Sequence, residues 1–394
     1  MMASSNEALE TLSSVVGNAV ALVGQLDTVV ASIAAEKRAP AESAVEARSG
    51  AQQLGTLDAL AVAHDSAALI KAHATKISLL IINEPFTPSA VTKVVRELVS
   101  AAVPSLAAAV EACSPERYTR SIQLDLAYRA GRALRELKEL LLRIPKDGKV
   151  LSGADKNSSA GSAGGRGSIA TTGVLWSACD DVMVFGRRGF AGNLAHKIEQ
   201  LRDTLKDIME ELKEWGEESE ENESDDDDDD DDGDNDGVAQ VTSQLASSSI
   251  SPAQDAQAIL DDFMSSQRYI PRDDPDRIRD RLDSCLKRLR LTTLLYQATA
   301  KRRLKPLPHL PPTSPSDVPA RLDEVIPIFK RLPEKFGSLA MAFYDLDPAE
   351  INRLMDECFF DAFAAAELLA KPWEGQKDEF TDWVLRFQVE IKKG

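Results

Sequence analysis

The amino-acid sequence predicts an all-α protein. Apolar residues recur at every third or fourth position over long stretches, which is the spacing of one face of a helix, and no stretch of convincing length shows the alternation of a β-strand. One strongly acidic segment interrupts this pattern in the middle of the chain. The sequence therefore predicts a helical half, an acidic tether and a second helical half.

The acidic segment, residues 217–236, contains five glutamates and ten aspartates, with eight aspartates in a row at 225–232 and no Lys or Arg. So many like charges repel one another and offer no apolar surface to bury, so we expect a solvated tether. These fifteen charges account for most of the formal net charge of -18, which leaves about -3 for the rest of the chain. The helical halves are therefore nearly balanced in charge, and the basic surface typical of a nucleic-acid-binding protein is absent.

Three regions follow from this composition. We expect an N-terminal helical bundle over residues 1–215, a disordered acidic and Ser-rich tether over 216–251, and a C-terminal helical segment over 252–394. A Gly- and Ser-rich loop at 146–168 interrupts the first region, and a Pro-rich connector at 305–319 interrupts the third.

In the N-terminal region the spacing predicts a third helix that starts with Ser89 as its N-cap and is kinked or broken at Pro104. Gly186 and Gly189 are expected to separate the last two helices of the region. The six predicted helices cover residues 6–38, 52–82, 89–113, 119–144, 172–185 and 192–215.

The C-terminal region is predicted to begin with a short helix and a longer, locally basic one, followed by three more after the proline connector. Aromatic residues at helical spacing in the last two are expected to lie in the core: Phe359, Phe360, Phe363, Phe380, Trp383 and Phe387. The predicted helices cover 252–264, 274–304, 321–344, 348–370 and 377–392.

The four cysteines are far apart in the sequence, without the spacing of a zinc or redox site or the density of a secreted disulfide scaffold, so we expect reduced core residues. The first residues lack the pattern of a signal peptide, and polar residues interrupt the most apolar early run, 15–30. We therefore expect an intracellular protein that does not cross a membrane.

No catalytic arrangement, metal site or cofactor site is predicted. The four histidines lack ligand spacing, and the Gly-rich segment near residue 165 lacks both the Lys-Ser/Thr ending and the preceding strand of a phosphate-binding loop. We therefore expect a protein that is not an enzyme.

Two short patterns are candidate sites of another kind. Ser219 and Ser224 directly precede acidic residues, a context that acid-directed kinases read, so both are candidate phosphorylation sites. Lys305, Pro308 and Pro311 fit the spacing of an SH3-domain ligand, although a stiff linker is the favoured explanation of these prolines.

Three blocks, in this order, carry a resemblance to a known family. They are Val174-Leu175-Trp176-Ser177-Ala178-Cys179 before the acidic segment, Ser284-Cys285-Leu286-Lys287-Arg288-Leu289-Arg290-Leu291 after it, and Leu322-Asp323-Glu324-Val325 followed by Leu339-Ala340 and Tyr344. Together with the length, the helical character and the acidic insert, they resemble the cyclin-D-binding proteins, also called adaptor- and cyclin-D-interacting proteins.

The resemblance implies two antiparallel helical bundles, the N-terminal one of a five-helix type, and no enzymatic activity. It also implies binding to a D-type cyclin or a signalling adaptor, restraint of cell-cycle progression, and residence in cytoplasm and nucleus. Within the second block and its leucine stripe, Leu282, Leu286, Leu289 and Arg290 are the candidate partner-binding residues.

Two other functions remain open at this point. Long antiparallel amphipathic helices fit a cytoskeletal or adhesion scaffold of the vinculin or talin-rod sort equally well. A nucleic-acid-associated regulator is less favoured, because aspartates interrupt the basic helix at 277–305 and its leucine stripe is typical of a buried face.

Overall fold

A computed structural model describes residues 2–35, 58–157, 166–221, 269–307, 316–373 and 377–393. Every regular element within these ranges is helical, so the predicted all-α class is confirmed. Two compact units are present, the first comprising Met1–Lys197 with Lys301–Ile326 and the second Ile198–Ala300 with Pro327–Gly394.

The first unit is a five-helix bundle. The helices up to the acidic segment are α1 (Met2–Ala35), α2 (Ala59–Ile82), α3 (Pro88–Glu97), α4 (Val103–Ala112), α5 (Pro115–Tyr118), α6 (Arg120–Leu142), α7 (Gly153–Asn157) and α8 (Ser168–Glu221). The members of the bundle are α1, α2, a third helix made of α3 and α4 in sequence, α6, and the first part of α8. Helix α1 packs on α3 and α6, and α2 packs on α4.

Helix α1 faces the bundle along one stripe. Leu12, Val16, Ala19, Val23 and Val30 on this stripe are buried. By length and composition alone, the segment Asn6–Ala35 is also apolar enough to cross a membrane, the one helix among the described residues of which this is true. A buried stripe on one face is equally typical of a core helix in a helical bundle.

Proline positions set the start and the middle of the third bundle helix. Pro88 occupies the first turn of α3, where its missing N–H costs nothing, and Thr87 is the N-cap, so the predicted N-cap at Ser89 is wrong. The helix does not stop at Pro104, because Ala102 and Val103 just before it keep helical backbone angles. A π-helical turn, Leu98–Ala102, precedes it and relieves the clash of the proline ring with the preceding turn, and the helix then continues as α4.

The two glycines expected to end a helix behave differently from each other. Gly189 interrupts α8, with φ 68° and ψ -175°, and the Asn193 side chain donates hydrogen bonds to the carbonyls of Phe185 (2.7 Å) and Gly189 (2.8 Å) at the break. Gly186, in contrast, lies within the helix. A Cβ atom there would be 2.5 Å from the carbonyl oxygen of Leu60, so this glycine allows α8 to approach α2 closely.

The helices after the acidic segment are α9 (Ile278–Thr299), which ends in a π-helical turn (Ala300–Leu304), α10 (Val318–Tyr344), α11 (Pro348–Ala370) and α12 (Glu379–Glu390). The second unit is built from the last part of α8, α9, α10 from Pro327 onward, α11 and α12. α9 packs on α11 and α12, and α11 also packs on α12. Inside the unit, the Tyr296 hydroxyl donates a 2.7 Å hydrogen bond to the Phe329 carbonyl, and their rings meet edge to face at 4.5 Å.

Asp274, where the sequence placed the start of α9, lies just outside this helix. Its carboxylate accepts hydrogen bonds from the backbone N–H groups of Ile278 (2.7 Å) and Arg279 (2.9 Å), so it caps the first turn. Asp274 therefore helps to begin the helix without belonging to it.

The aromatic residues of α11 and α12 are only partly core. Phe359, Phe380 and Phe387 are buried, as predicted, whereas Trp383 and Phe363 are half-buried. Phe360 is 70% exposed, so its predicted place in the core is wrong. Successive residues on a helix point about 100° apart, so Phe360 cannot share the inward direction of Phe359.

All four cysteines are buried and free, which confirms the prediction of reduced core thiols. Burial raises the pKa of Cys179 and of Cys285 to about 12, and it also raises the pKa of Cys113 and Cys358. The thiolate form is therefore scarce at neutral pH.

Segment Lys301–Ile326, which follows the acidic insert in sequence, belongs to the first unit. There the Asp323 carboxylate accepts the backbone N–H of Arg120, at the start of α6, with both oxygens at 2.9 Å. The division of the chain into three regions at residues 215 and 252, predicted from composition, stays a prediction. Most of the predicted tether, and the predicted helix at 252–264, lie outside the described residues.

Candidate partner-binding surface

The leucines predicted to bind a partner are largely buried within the protein. Leu289 is fully buried and Leu282 is 5% exposed, while Leu286 is half-buried and Arg290 is exposed. Leu282 contacts α8 so closely that a Cβ atom added at Gly216 would lie 2.6 Å from its Cδ2. In this structure Leu282 and Leu289 are core residues of the second unit, and a role of the four residues in partner binding stays a prediction.

The other predicted sites lie at or beyond the edges of the described residues. Lys305 is exposed, but Pro308 and Pro311 of the SH3-ligand pattern are outside the described ranges. Ser219 falls in the last turn of α8, with nothing described of its side chain, and Ser224 lies outside. These sites stay predictions.

An extended contact between α2 and the first part of α8, both in the first unit, positions a different candidate surface. The helices run antiparallel, since Thr172 bonds Ser78 (3.1 Å) whereas Asp180, eight residues later, bonds Lys71 (2.7 Å), seven residues earlier. The close approach at Gly186 continues this contact toward the start of α2. One ridge of each helix is thereby held in fixed register with the other.

Trp176 lies on the outer side of this contact. It is 38% exposed, and its indole Nε1–H donates a 3.1 Å hydrogen bond to Thr75 Oγ1, whose own hydroxyl donates to the Lys71 carbonyl at 2.8 Å. The ring is therefore held by a hydrogen bond while part of its apolar surface faces solvent. Tryptophan is one of the residues enriched in protein-interface hot spots, because it combines a large apolar ring with one polar N–H.

Two further apolar residues flank Trp176. Ile169 lies two turns earlier on the same face of α8, and Leu79 lies one turn beyond Thr75 on α2. About half of each side chain is exposed. We call Leu79, Ile169 and Trp176 the Trp176 surface; these are three large apolar side chains that the bundle does not bury.

An ion pair borders the Trp176 surface on the next turn of α8. The Lys71 ammonium bridges both oxygens of Asp180 at 2.7 Å. Both side chains are partly exposed, so this pair contributes little to stability. It instead gives this side of the apolar surface a polar edge of the kind found around protein-binding patches.

Within the described ranges, no group of three or more His, Cys, Asp or Glu side chains is arranged to hold a metal ion. An open cleft of about 470 Å³ lies between the first turns of α1 and helix α3 and is lined by side chains of both charges, including Glu7, Lys93, Arg96 and Glu97. It lacks the enclosed, largely apolar wall of a small-molecule site.

Residues 63–218, from α2 to the end of α8, match the family model described as "Grap2 and cyclin-D-interacting, N-terminal". This region of the chain is therefore similar to the N-terminal domain of the cyclin-D-interacting family, which agrees with the resemblance noted from the sequence blocks, the first of which lies within it. The matched region contains the Trp176 surface.

A curated protein from Schizosaccharomyces pombe (strain 972 / ATCC 24843), itself described as uncharacterized, is 29% identical over 155 residues. The match covers 37% of this chain and 43% of that protein, so the chain spans less than half the length of this relative. Its description adds no activity or partner to the family assignment.

Trp176 lies within the first of the three sequence blocks, but it was not predicted to be a surface residue. The signal was present in the helical phase, because Leu175, Ala178, Cys179 and Val182 form the buried stripe and Trp176 is out of phase with it. A large aromatic residue off the apolar stripe is expected to be exposed, whereas the leucines that form the stripe are expected to be buried.

Proposed function

We propose that this protein is a non-enzymatic interaction protein that binds a D-type cyclin or a signalling adaptor through the Trp176 surface and thereby restrains cell-cycle progression. The observation that carries the proposal is the coincidence of the family domain at 63–218 with an exposed, hydrogen-bonded tryptophan inside it. The partner class comes from the family description, and the location of the contact comes from the exposure of Trp176.

The proposal places the partner contact on a rigid part of the bundle. α8 is fixed against α2 by hydrogen bonds, an ion pair and the glycine contact described above, so the three apolar side chains are arranged before the partner arrives. Preorganisation of this kind reduces the entropy lost on binding.

The test is an affinity pull-down from the source cell with three forms of the full chain: wild type, Trp176→Ala and Tyr128→Ala. Tyr128, on α6 of the same unit, is 68% exposed and lies outside the Trp176 surface, so it is the matched control. We expect wild type and Tyr128→Ala to recover a cyclin or an adaptor, and Trp176→Ala to lose it. Recovery of actin or adhesion proteins with no cell-cycle factor would favour the scaffold function and contradict the proposal.

Residence in both cytoplasm and nucleus and phosphorylation of Ser219 and Ser224 belong to the same proposal, since the acidic context of these serines suits an acid-directed kinase. Imaging of the tagged full chain and intact-mass measurement of protein from its native cell test these two points. Exclusion from either compartment, or the absence of phosphate, would remove the corresponding point.

A further inference from the structure

Helix α9 carries a face that its own unit leaves uncovered. Lys287, Arg290 and Leu294 follow one another at spacings of three and four residues, so they share one side of the helix. Lys287 and Arg290 are exposed, and Leu294 is 43% exposed. We call these three residues the basic face of α9.

The charges on this face are not neutralised within the described residues. Neither Lys287 nor Arg290 forms an ion pair there, in contrast to Arg277, the residue that precedes the helix, which pairs with Asp280. The pKa of Glu390 on α12 is lowered mainly by its 2.6 Å hydrogen bond from Lys393 and less by the charge of Lys287. The hydrogen-bonded partner of Glu390 is therefore Lys393. The basic face therefore offers two available cations beside an apolar side chain.

The described residues on either side of the segment 222–268, which contains the aspartate run, lie next to the first half of α9. On the N-terminal side, Gly216 of α8 lies against Leu282. On the C-terminal side, the carbonyl of Ile270 accepts a 3.3 Å hydrogen bond from Arg279. Residues 222–268, which include the eight consecutive aspartates at 225–232, therefore leave and re-enter the same unit beside the same helix.

The distance along α9 from the end of α8 to the basic face is short enough for the aspartate run to reach. Arg290 is eight residues along α9 from Leu282, which corresponds to about 12 Å at 1.5 Å per residue. The aspartates begin four residues after the end of α8, and four extended residues alone span roughly 14 Å. Covalent attachment at both ends makes an encounter between the aspartates and the basic face intramolecular, which favours even a weak contact.

We propose that the aspartate run at 225–232 of the same chain docks on the basic face of α9. The carboxylates pair with Lys287 and Arg290, and the run thereby competes with any acidic partner segment for this face. Charge complementarity, and the position of both ends of the insert beside α9, select this occupant over a second copy of the chain.

Zero-length carbodiimide cross-linking of the full chain, followed by mass spectrometry, tests the proposal. We expect an amide between Lys287 and a residue of 225–232, found within single molecules in a mixture of isotopically light and heavy protein. Cross-links found only between light and heavy molecules would indicate docking on a second copy and would overturn the proposal.

Lysine acetylation gives a second readout that needs no partner. A variant with all eight aspartates replaced by asparagine keeps the length of the insert and removes the charges. We expect Lys287 to react about 3- to 10-fold faster in this variant than in wild type at low salt, because a few partly exposed ion pairs protect it, and the difference to disappear at about 1 M salt. Lys76, exposed on α2 of the other unit, should react equally in both proteins. Equal reactivity of Lys287 in the two proteins would overturn the proposal, whatever the outcome of the cyclin pull-down.

Discussion

The carboxylate of Asp323 accepts the backbone N–H of Arg120 with both of its oxygens at 2.9 Å. Arg120 is the first residue of α6, and the neighbouring Thr119 caps the same helix end by accepting the N–H of Ile122. A residue that follows the acidic insert thus neutralises the positive end of a helix in the N-terminal bundle. The first unit therefore needs residues from both sides of the insert.

Replacing Asp323 by alanine should lower the free energy of unfolding by about 1 kcal/mol, the usual cost of losing a helix cap. Chemical denaturation of the full chain measures the loss. Glu324→Ala is the control, because Glu324 is the exposed neighbour on the same helix. Equal stability of the two variants would show that the Asp323 contact does not hold the segment in place.

Two glycines of α8 should respond in opposite directions to alanine. Gly186→Ala places a Cβ 2.5 Å from the Leu60 carbonyl oxygen and 2.8 Å from the His64 Cβ, so we expect destabilisation of about 1–3 kcal/mol from overpacking. Gly173→Ala meets nothing within 4 Å and should stabilise by about 0.5–1 kcal/mol through helix propensity. Thermal unfolding of both variants makes the comparison, and a stabilised Gly186→Ala would mean that α8 and α2 are further apart.

Asp361 of α11 should make stability depend on pH in the acid range. Burial raises its pKa, but hydrogen bonds from Arg331 and Lys335 (each 3.0 Å) outweigh burial, and the net pKa is lowered. The unfolded chain then binds more protons than the folded one, so this contribution is present above pH ~4, near the ordinary aspartate pKa, and is lost as the pH falls through the lowered value.

We therefore expect the Asp361→Asn variant to be less stable than wild type at pH 7 and to lose less stability between about pH 5 and pH 2. Denaturant unfolding at a series of pH values measures both effects. Glu350→Gln, which breaks an exposed pair with Arg353, should change the profile much less than Asp361→Asn, because solvent screens this pair. Parallel profiles for wild type and Asp361→Asn would assign the acid sensitivity to other carboxylates.

The buried thiols should react slowly with a disulfide reagent in the native protein. All four cysteines are buried and burial raises the pKa of each, so the reactive thiolate is both scarce and inaccessible. Colorimetric titration should give four equivalents only after denaturation. Rapid reaction of one thiol in the folded protein would show that the packing around it opens readily.

Much of the helix pattern was predictable because local chemistry sets it. The bounds of α11, Pro348–Ala370, were predicted without error, since Asp347 caps the helix and Pro348 fits its first turn. Gly186 was read as a helix breaker because sequence alone does not distinguish a glycine needed for backbone freedom from one needed for close packing. Only the position of Leu60 on the neighbouring helix makes this distinction.

The candidate site was less predictable than the fold. The stripe containing Leu282 and Leu289 has the same periodicity whether it is buried within the bundle or against a partner, and the structure places both residues in the core. Trp176 was visible in the sequence, but its hydrogen bond to Thr75 and its exposure depend on a contact between residues 101 positions apart. Tertiary structure therefore supplied the candidate surface.

The central claim is that the Trp176 surface binds the partner, and calorimetric titration of a purified D-type cyclin into the purified full chain tests it most directly. We predict binding by wild type, binding within about twofold of wild type for Tyr128→Ala, and at least about tenfold weaker binding for Trp176→Ala, as expected for an interface tryptophan. Circular dichroism melting of the three proteins would verify that each is folded. Absence of binding by wild type, or equal affinity of wild type and Trp176→Ala, would contradict the claim.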